Sequence, residues 1–295
     1  MKEQLKGSIQ LLIGTIIWGT AFVAQSVGMD YIGPFTFQAV RSCIAVFSLI
    51  LVIFLMERGK QEGETFLSRW KNPSLWKTGV LYGIALFVAS GLQQVGLVYT
   101  DPGKAGFITA MYIVLVPVFG LFLGQKAGVN VWISVVLAVA GLYLLSAFGV
   151  SSVNVGDLLL MGCACAFAVQ IILVDRLGKN LDGLRLNFVQ FLVNALLSIL
   201  FMFLLETPLW ENILACAVPL LYTGVMSSAV AYSLQILGQQ KLPPAPASLI
   251  MSMESVFAVL AGWLLLHQVL SASELLGCAL VFAGVLLSQW EPKTK

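Results

Sequence analysis

Apolar residues recur along this chain in blocks of about twenty, separated by short polar interruptions, rather than in the two-residue alternation of a strand. Blocks of that length match the hydrocarbon core of a bilayer, about 30 Å, at about 1.5 Å of helical rise per residue. The pattern predicts ten spans: Gly7 to Val27, Pro34 to Leu55, Leu75 to Val98, Gly103 to Leu123, Val129 to Phe148, Val155 to Val174, Leu184 to Leu205, Ile213 to Leu237, Ala245 to Leu266 and Ala272 to Trp290. Only the connection from Glu57 to Ser74 is long and polar, which leaves no room for a soluble domain. Lys2 and Lys6 precede the first block as they would in a signal peptide. That block exceeds the roughly 7 to 15 apolar residues of such a leader and lacks a small-x-small cleavage site, so it is read as a span.

Composition agrees. Of 295 residues 59% are hydrophobic and 10% charged, with mean hydropathy +0.94, whereas a soluble domain is about 25% charged. The fold class is therefore all-α integral membrane. Cys43, Cys163, Cys165, Cys216 and Cys278 all fall in apolar blocks and are odd in number, so they read as packing residues rather than a disulfide or metal framework. No cofactor is expected. A net charge of +2 without a basic run gives no nucleic-acid footprint, which leaves the lipid bilayer and a small-molecule substrate as partners, in a monomer or homodimer.

Of the 16 basic residues, all except Arg41 within a span and Lys104 on the opposite side fall on the side of the N-terminus. By the positive-inside rule both termini are cytoplasmic, in the inner membrane of the cell. Trp76, Trp132 and Trp290 then lie at the inner boundary and Trp263 near the outer one, as an aromatic belt.

A shift of 142 positions pairs Gln93 with Gln235, Gly96 with Gly238, Pro102 with Pro244, Ala105 with Ala247, Ile108 with Ile250, Met111 with Met253, Val114 with Val256, Gly120 with Gly262 and Leu123 with Leu265. One residue further on, Gly141 meets Gly284. The chain is thus two homologous five-helix units, 1–148 and 149–295. An odd number of helices per unit inserts the second upside down, giving a 5+5 inverted-topology repeat of the kind secondary transporters use around a midplane site.

Arg41 and Glu254 are the ionisable residues deepest within the spans, where each carries an insertion penalty of about 2.5–3.5 kcal/mol. Counting helical rise from opposite boundaries puts them about 10 Å and about 13 Å deep, a depth difference of about 7 Å. Contact between them requires the second and ninth spans to adjoin. Glu254 reads equally as a protonatable coupling group or amine partner and as a neutral carboxyl locking helices together. Arg41 can meet substrate or tie up free carbonyls. Tyr112 occupies the place of Glu254 in the fourth span, which Pro117 is expected to kink. In the eighth span Ser228, Tyr232, Gln235 and Gln239 form a helical stripe, and in the third Gln93 and Gln94 lie beside Ser90 and Gly91. Such stripes line a hydrated cavity or bond helices together. Trp18, mid-span beside Gly14, Gly19 and Thr20, reads as a cavity wall or as bundle packing. His267 with Gln268 reads as a solvated cap or an external pH sensor.

Three stretches carry a family resemblance: Gly14-Thr-Ile-Ile-Trp-Gly-Thr-Ala-Phe22, Ala105-Gly-Phe-Ile-Thr-Ala-Met-Tyr-Ile-Val-Leu-Val-Pro117 and Met253-Glu-Ser-Val-Phe-Ala-Val-Leu-Ala-Gly-Trp-Leu264, with Arg41 between the first two. The chain resembles the EamA family of ten-helix carriers in the drug/metabolite transporter superfamily. The resemblance implies a central cavity lined by helices one, three, four, six, eight and nine, with the fifth and tenth behind. Against the family pattern, Glu-Pro in the ninth helix reads Glu254-Ser255, which is expected to remove a kink. The acidic ends of the fourth and ninth helices are replaced by Gln125 and by His267-Gln268, and Phe167 replaces a tryptophan.

The reading that follows is an alternating-access carrier exporting small metabolites such as amino acids. Trp18, Arg41, Gln93, Tyr112, Tyr232, Gln235 and Glu254 are its candidate substrate-binding residues, and Glu254 is the candidate proton-coupling group. Uptake or exchange by the same fold is the alternative. A membrane-embedded enzyme fits poorly, since metal or acid–base chemistry needs clustered His, Asp or Glu and the chain has one histidine.

Overall fold

The computed structural model describes residues 2–57, 68–100, 102–125, 127–145, 154–266 and 271–289. Lys126, His267, Gln268 and Trp290 lie outside them, as do Arg58, Lys60, Lys293 and Lys295. The described residues form ten membrane-length or near-membrane-length helical units and no strand. These are α1 (Lys2–Met29), α2 (Pro34–Glu57), α3 (Pro73–Tyr99), α4 (Pro102–Ala110 continued by Tyr112–Phe122), α5 (Val129–Leu145), α6 (Val155–Leu177), α7 (Gly183–Leu205), α8 (Ala217–Gln239), α9 (Pro244–Met251 continued by Met253–Leu266) and α10 (Ala272–Ser288). Large apolar side chains such as Phe47, Val136 and Phe203 stay exposed around the bundle, as lipid contact requires. Ser8 Oγ donates to Gln289 Oε1 at 3.1 Å, so the N-terminal end of α1 and the C-terminal end of α10 share one face, called here the terminal face.

The two halves pack as symmetry mates. Across α5 and α10, a Cβ added at Gly141 would meet the Gly277 carbonyl oxygen at 2.6 Å and Val281, and one added at Gly284 would meet the Ser134 oxygen at 2.8 Å and Ala138. Each contact is the image of the other, the self-complementary pattern of a two-fold axis. The same holds between α6 and α3, where Gly156 and Leu160 close on Gly96, and between α1 and α8, where Gly7 and Leu11 close on Gly238. These crossings seal the bundle near its far face and near its terminal face respectively. Where backbones touch, glycine is required because any side chain would hold the helices apart.

Breaks in α4 and α9 also correspond. Met111 (φ −60°, ψ −11°) and Ser252 (φ −64°, ψ −14°) each interrupt a span at its middle, one and two residues before Tyr112 and Glu254. In α4 Pro117 sits inside the Tyr112–Phe122 segment, and an interruption comes earlier, at Met111. The missing proline after Glu254 does not leave α9 continuous: it breaks at Ser252. Ser248 and Ser252 donate their hydroxyls to the carbonyls of Ala245 and Leu249, three residues back, a bond that competes with the backbone ladder and bends a helix.

In α8, Tyr222–Ala231 is π-helical. Gly83 packs on Gln190 and Val193 of α7 as Gly224 packs on Arg41 and Ile44 of α2, which makes the two glycines equivalents. Between that point and the matching pair Gln93 and Gln235, α8 carries one residue more than α3. The wider i→i+5 turns absorb the extra residue.

Buried ionisable residues are more numerous than Arg41 and Glu254 alone. Asp157, Asp175 and Arg185 are buried too, but each sits near a helix end with a charged partner. Lys104 pairs with Asp157 at 2.6 Å, Lys179 with Asp175 at 2.9 Å, and Arg185 with both Asp182 and Glu57. Gln125, standing at the end of α4 where an acidic residue was expected, donates to Asp175 Oδ2 at 3.2 Å, so α6 supplies a carboxylate there.

The α5–α10 crossing gives a direct test. Gly141→Val should cost about 1–3 kcal/mol through forced separation of the backbones, read as a lower unfolding midpoint of the detergent-purified protein. Gly91→Ala, whose added carbon would meet nothing nearer than Phe35 at 3.8 Å, should leave that midpoint unchanged.

Candidate functional site

A small cavity lies at mid-depth, where the two halves meet. From α1 come Trp18, Phe22 and Gln25, spaced four and three residues apart and so on one helical face. Helices α2 and α3 add Arg41 and Gln93, α4 adds Tyr112, and α6 adds Phe167 and Ile171. Ser227, Tyr232 and Gln235 of α8 and Met251 and Glu254 of α9 complete the wall. All seven residues singled out from the sequence therefore face one space. Its volume, about 50 Å³, suits a few waters at about 10–15 Å³ each by the same measure.

At its centre, Tyr112 Oη donates to Glu254 Oε1 at 3.3 Å. These residues are equivalents in the repeat, and equivalent residues can touch only at the symmetry axis, so this bond marks it. A buried bond of this kind within a bilayer is worth about 0.6–2 kcal/mol. Arg41 lies elsewhere on the wall, 4% exposed, with Nη1 donating to Gln25 Oε1 at 2.7 Å and its guanidinium 5.9 Å from the Phe37 ring centroid. Among the described residues no ion pair links Arg41 to Glu254: each has its own neutral partner, and α2 does not pack alongside α9.

Three polar atoms of the wall have no hydrogen-bond partner: Trp18 Nε1, Arg41 Nε and Gln235 Oε1. An unpaired buried polar group costs about 1–3 kcal/mol, more if charged. Together they offer two donors and an acceptor to whatever fills the space. The aromatic part is ordered, with Trp18 edge-on to Tyr232 at 5.0 Å and Tyr112 edge-on to Phe167 at 6.4 Å between ring centroids.

Not every polar stripe reaches the cavity. Ser228 and Gln239 of α8 and Gln94 of α3 are buried but off the wall. The π-helical turns place Ser227, five residues before Tyr232, where α-helical spacing puts Ser228. Gln94 points the other way and donates to Met29 Sδ at 3.1 Å. Behind Gln235 runs a chain of buried amides: its Nε2 donates to Gln170 Oε1 (3.1 Å), Gln170 to Gln190 (3.2 Å), Gln190 to Asn187 (3.1 Å), and Asn187 to Ser233 Oγ (2.9 Å). That chain ties α6, α7 and α8 together. Sequence reasoning missed Gln25 and Gln170. Gln25 was legible as the third member of the Trp18–Phe22–Gln25 stripe, whereas Gln170, with no polar neighbour on its face, gave no such signal.

A groove of about 1340 Å³ opens between α1, α4, α9 and α10, rimmed by Gln4, Ser8, Gln125 and Lys179 on the terminal face. It reaches Ile250 and Met253 of α9, so Met253 stands between the groove and Glu254.

The EamA-like transporter family model matches the chain twice, over residues 5–147 and 154–290, once per half. An uncharacterized transporter of Archaeoglobus fulgidus is 31% identical over 97% of this chain and 86% of its own length. The uncharacterized transporter YoaV of Bacillus subtilis is 23% identical over 96% and 97%, and the threonine/homoserine exporter RhtA of Escherichia coli 27% identical over 94% and 88%. A protein of known crystal structure superposes with a TM-score of 0.80 over 96% of each chain at 18% identity, which shows a shared fold. Ten helices in two inverted halves, matched twice by one family model, identify this chain as a member of the EamA-like transporter family.

Proposed function

We propose that this transporter is a secondary-active carrier that exports small metabolites such as amino acids by alternating access through the axial cavity. One observation carries the reading: the cavity sits between two equivalent glycine crossings, Gly7–Gly238 toward the terminal face and Gly96–Gly156 toward the far face. Opening one crossing while the other holds is the motion that inverted repeats provide. A space of about 50 Å³ holds only a few waters, so a metabolite needs the bundle to widen around it.

The basic residues on the terminal face support its placement in the cytoplasm, in the inner membrane. Export and the amino-acid class draw on RhtA, whose name gives threonine and homoserine. A proton gradient suits Glu254 as the coupling group, because one carboxylate can hold a proton or a substrate cation but not both. The titratable groups around it are Tyr112 on α4, Cys163 on α6 and Tyr232 on α8. Uptake or exchange in the opposite direction uses the same parts.

Two measurements test this. Purified protein in liposomes should move members of a panel of amino acids, nucleosides and cationic dyes faster than protein-free liposomes, and no acceleration for any solute sinks the carrier reading. With an acid exterior, protons entering through Glu254 should drive efflux. Each unit of gradient is worth about 1.4 kcal/mol, or about tenfold in concentration, for one proton per substrate. Glu254→Gln should abolish that dependence between about pH 5 and 8, and an undiminished response in this variant removes Glu254 from the coupling path.

A further inference from the structure

The cavity is built on a two-fold axis, and three pairs of its wall residues obey the symmetry. Leu11 and Leu160 mark matching positions on α1 and α6, and the same register makes Trp18 the counterpart of Phe167 and Phe22 the counterpart of Ile171. Gln93 and Gln235 correspond in the repeat. Each of these pairs faces the space from both sides with similar chemistry.

Charge is where the symmetry fails. Glu254 faces Tyr112, its own counterpart, so a carboxylate on one half meets a neutral phenol on the other. Gly224 rests on the Arg41 carbonyl as Gly83 rests on the Gln190 carbonyl, which makes Gln190 the counterpart of Arg41. The guanidinium of the first half is replaced in the second by a neutral amide, whose Nε2 and Oε1 are both taken up by Asn187 and Gln170. One half thus contributes a cation and the other an anion, and the two are not paired with each other. A symmetric frame with a guanidinium on one half and a titratable carboxyl on the other has a direction.

We infer that the cavity binds a zwitterion in a single orientation, its carboxylate on Arg41 and Trp18 Nε1 and its ammonium on Glu254 and Gln235 Oε1. The inference rests on the carrier reading and specifies its substrate class. Arg41 is 4% exposed, with Nη1 held by Gln25 and Nε unpartnered, so its donors are fixed in direction before substrate arrives. Two N–H groups of a guanidinium match a carboxylate in a fork that an ammonium cannot reproduce. At the other end, the Glu254 carboxylate and the unpartnered Gln235 Oε1 are acceptors that suit a primary ammonium. Neutrality argues the same way. Once Glu254 has released its proton, a zwitterion answers both charges of the site, while an amine or an acid alone leaves one buried charge unanswered. Gln25 is the positioning residue for Arg41.

The test needs no variant at first. Wild-type protein in liposomes is assayed by counterflow with L-serine and L-threonine, with ethanolamine and 1-amino-2-propanol, which lack their carboxyl groups, and with lactate, which lacks the ammonium. The amino acids should be taken up at least about tenfold better than either set of analogues. Arg41→Lys, which keeps the charge and loses the fork, should weaken L-threonine counterflow about tenfold, and Arg41→Gln should abolish it, both in protein that remains monodisperse in detergent. The inference is overturned if the amines or lactate move as well as the amino acids, or if Arg41→Lys and Arg41→Gln transport L-threonine like the wild type. It also falls if nucleosides or dyes move and no amino acid does, a result that leaves the carrier reading standing. Only an absence of flux for every solute removes both.

Discussion

Everything in this bundle depends on how closely helix backbones approach at a few glycines. A bilayer supplies no hydrophobic drive between helices, because lipid tails are as apolar as the side chains they replace, so association rests on van der Waals contact and internal hydrogen bonds. Gly7 against Gly238, Gly96 against Gly156 and Gly141 against Gly277 bring backbones together to distances that a β-carbon would prevent. The α5–α10 pair contributes no residue to the cavity wall. The other two crossings occupy equivalent places at opposite ends of the cavity, so in the proposed carrier the contact that stabilises the bundle is also the one that parts. Glycine suits both tasks, since a seal made of backbone against backbone has no side chains to disentangle.

Much of this was legible in the sequence because the membrane simplifies it. Twenty apolar residues can do little except span, so the number and order of helices followed from block length. Inversion followed from an odd number of spans per repeat. Site residues were legible for a related reason: polar atoms are costly at depth, so Arg41, Glu254, Gln93 and Gln235 stood out against an apolar background. What escaped were features set by local backbone geometry. Pro117 marked α4 for a kink, but no residue type announced the break at Met111. Ser248 and Ser252 bend α9 without any proline, by hydroxyl bonds that a hydropathy pattern does not register. The one-residue expansion of α8 moved Ser228 off the wall and Ser227 onto it, and a reading that assumes 3.6 residues per turn cannot anticipate that.

Partners of the buried polar groups were the second blind spot. Depth alone placed Arg41 and Glu254 close enough in height to pair, and a charge pair is the simplest way to bury two opposite ions. The fold instead holds them on helices that do not pack together and gives each a neutral partner, Gln25 for one and Tyr112 for the other. A direct ion pair would satisfy both groups and leave nothing for a ligand. Neutral hydrogen-bond partners orient the charged groups and leave their charges unanswered, a less stable arrangement in isolation but a more receptive one. Polar residues that only bonded helices together would be fully satisfied, as Gln190 and Asn187 are. On the cavity wall, atoms of Trp18, Arg41 and Gln235 stay unpartnered and open to whatever fills the space.

The position of the Tyr112–Glu254 bond has a mechanical consequence. A contact between equivalent residues lies on the axis and belongs to neither half, so whatever breaks it acts on both halves at once. The breaks in α4 and α9 fall immediately before these two residues, at Met111 and Ser252, where the helical ladder is already interrupted and further bending has little hydrogen bonding to sacrifice. A cavity of about 50 Å³ cannot accept an amino acid without expanding. Expansion at the axis must displace the Tyr112 hydroxyl from Glu254 or lengthen their bond, and the nearest places to absorb the movement are those two breaks. A group that enters and takes over the Glu254 carboxylate therefore replaces the bond it severs, whereas solvent alone does so less well in a site of low dielectric. In the proposed carrier, occupancy and helix movement are thus linked through one hydrogen bond, which sits on the axis that relates the two halves.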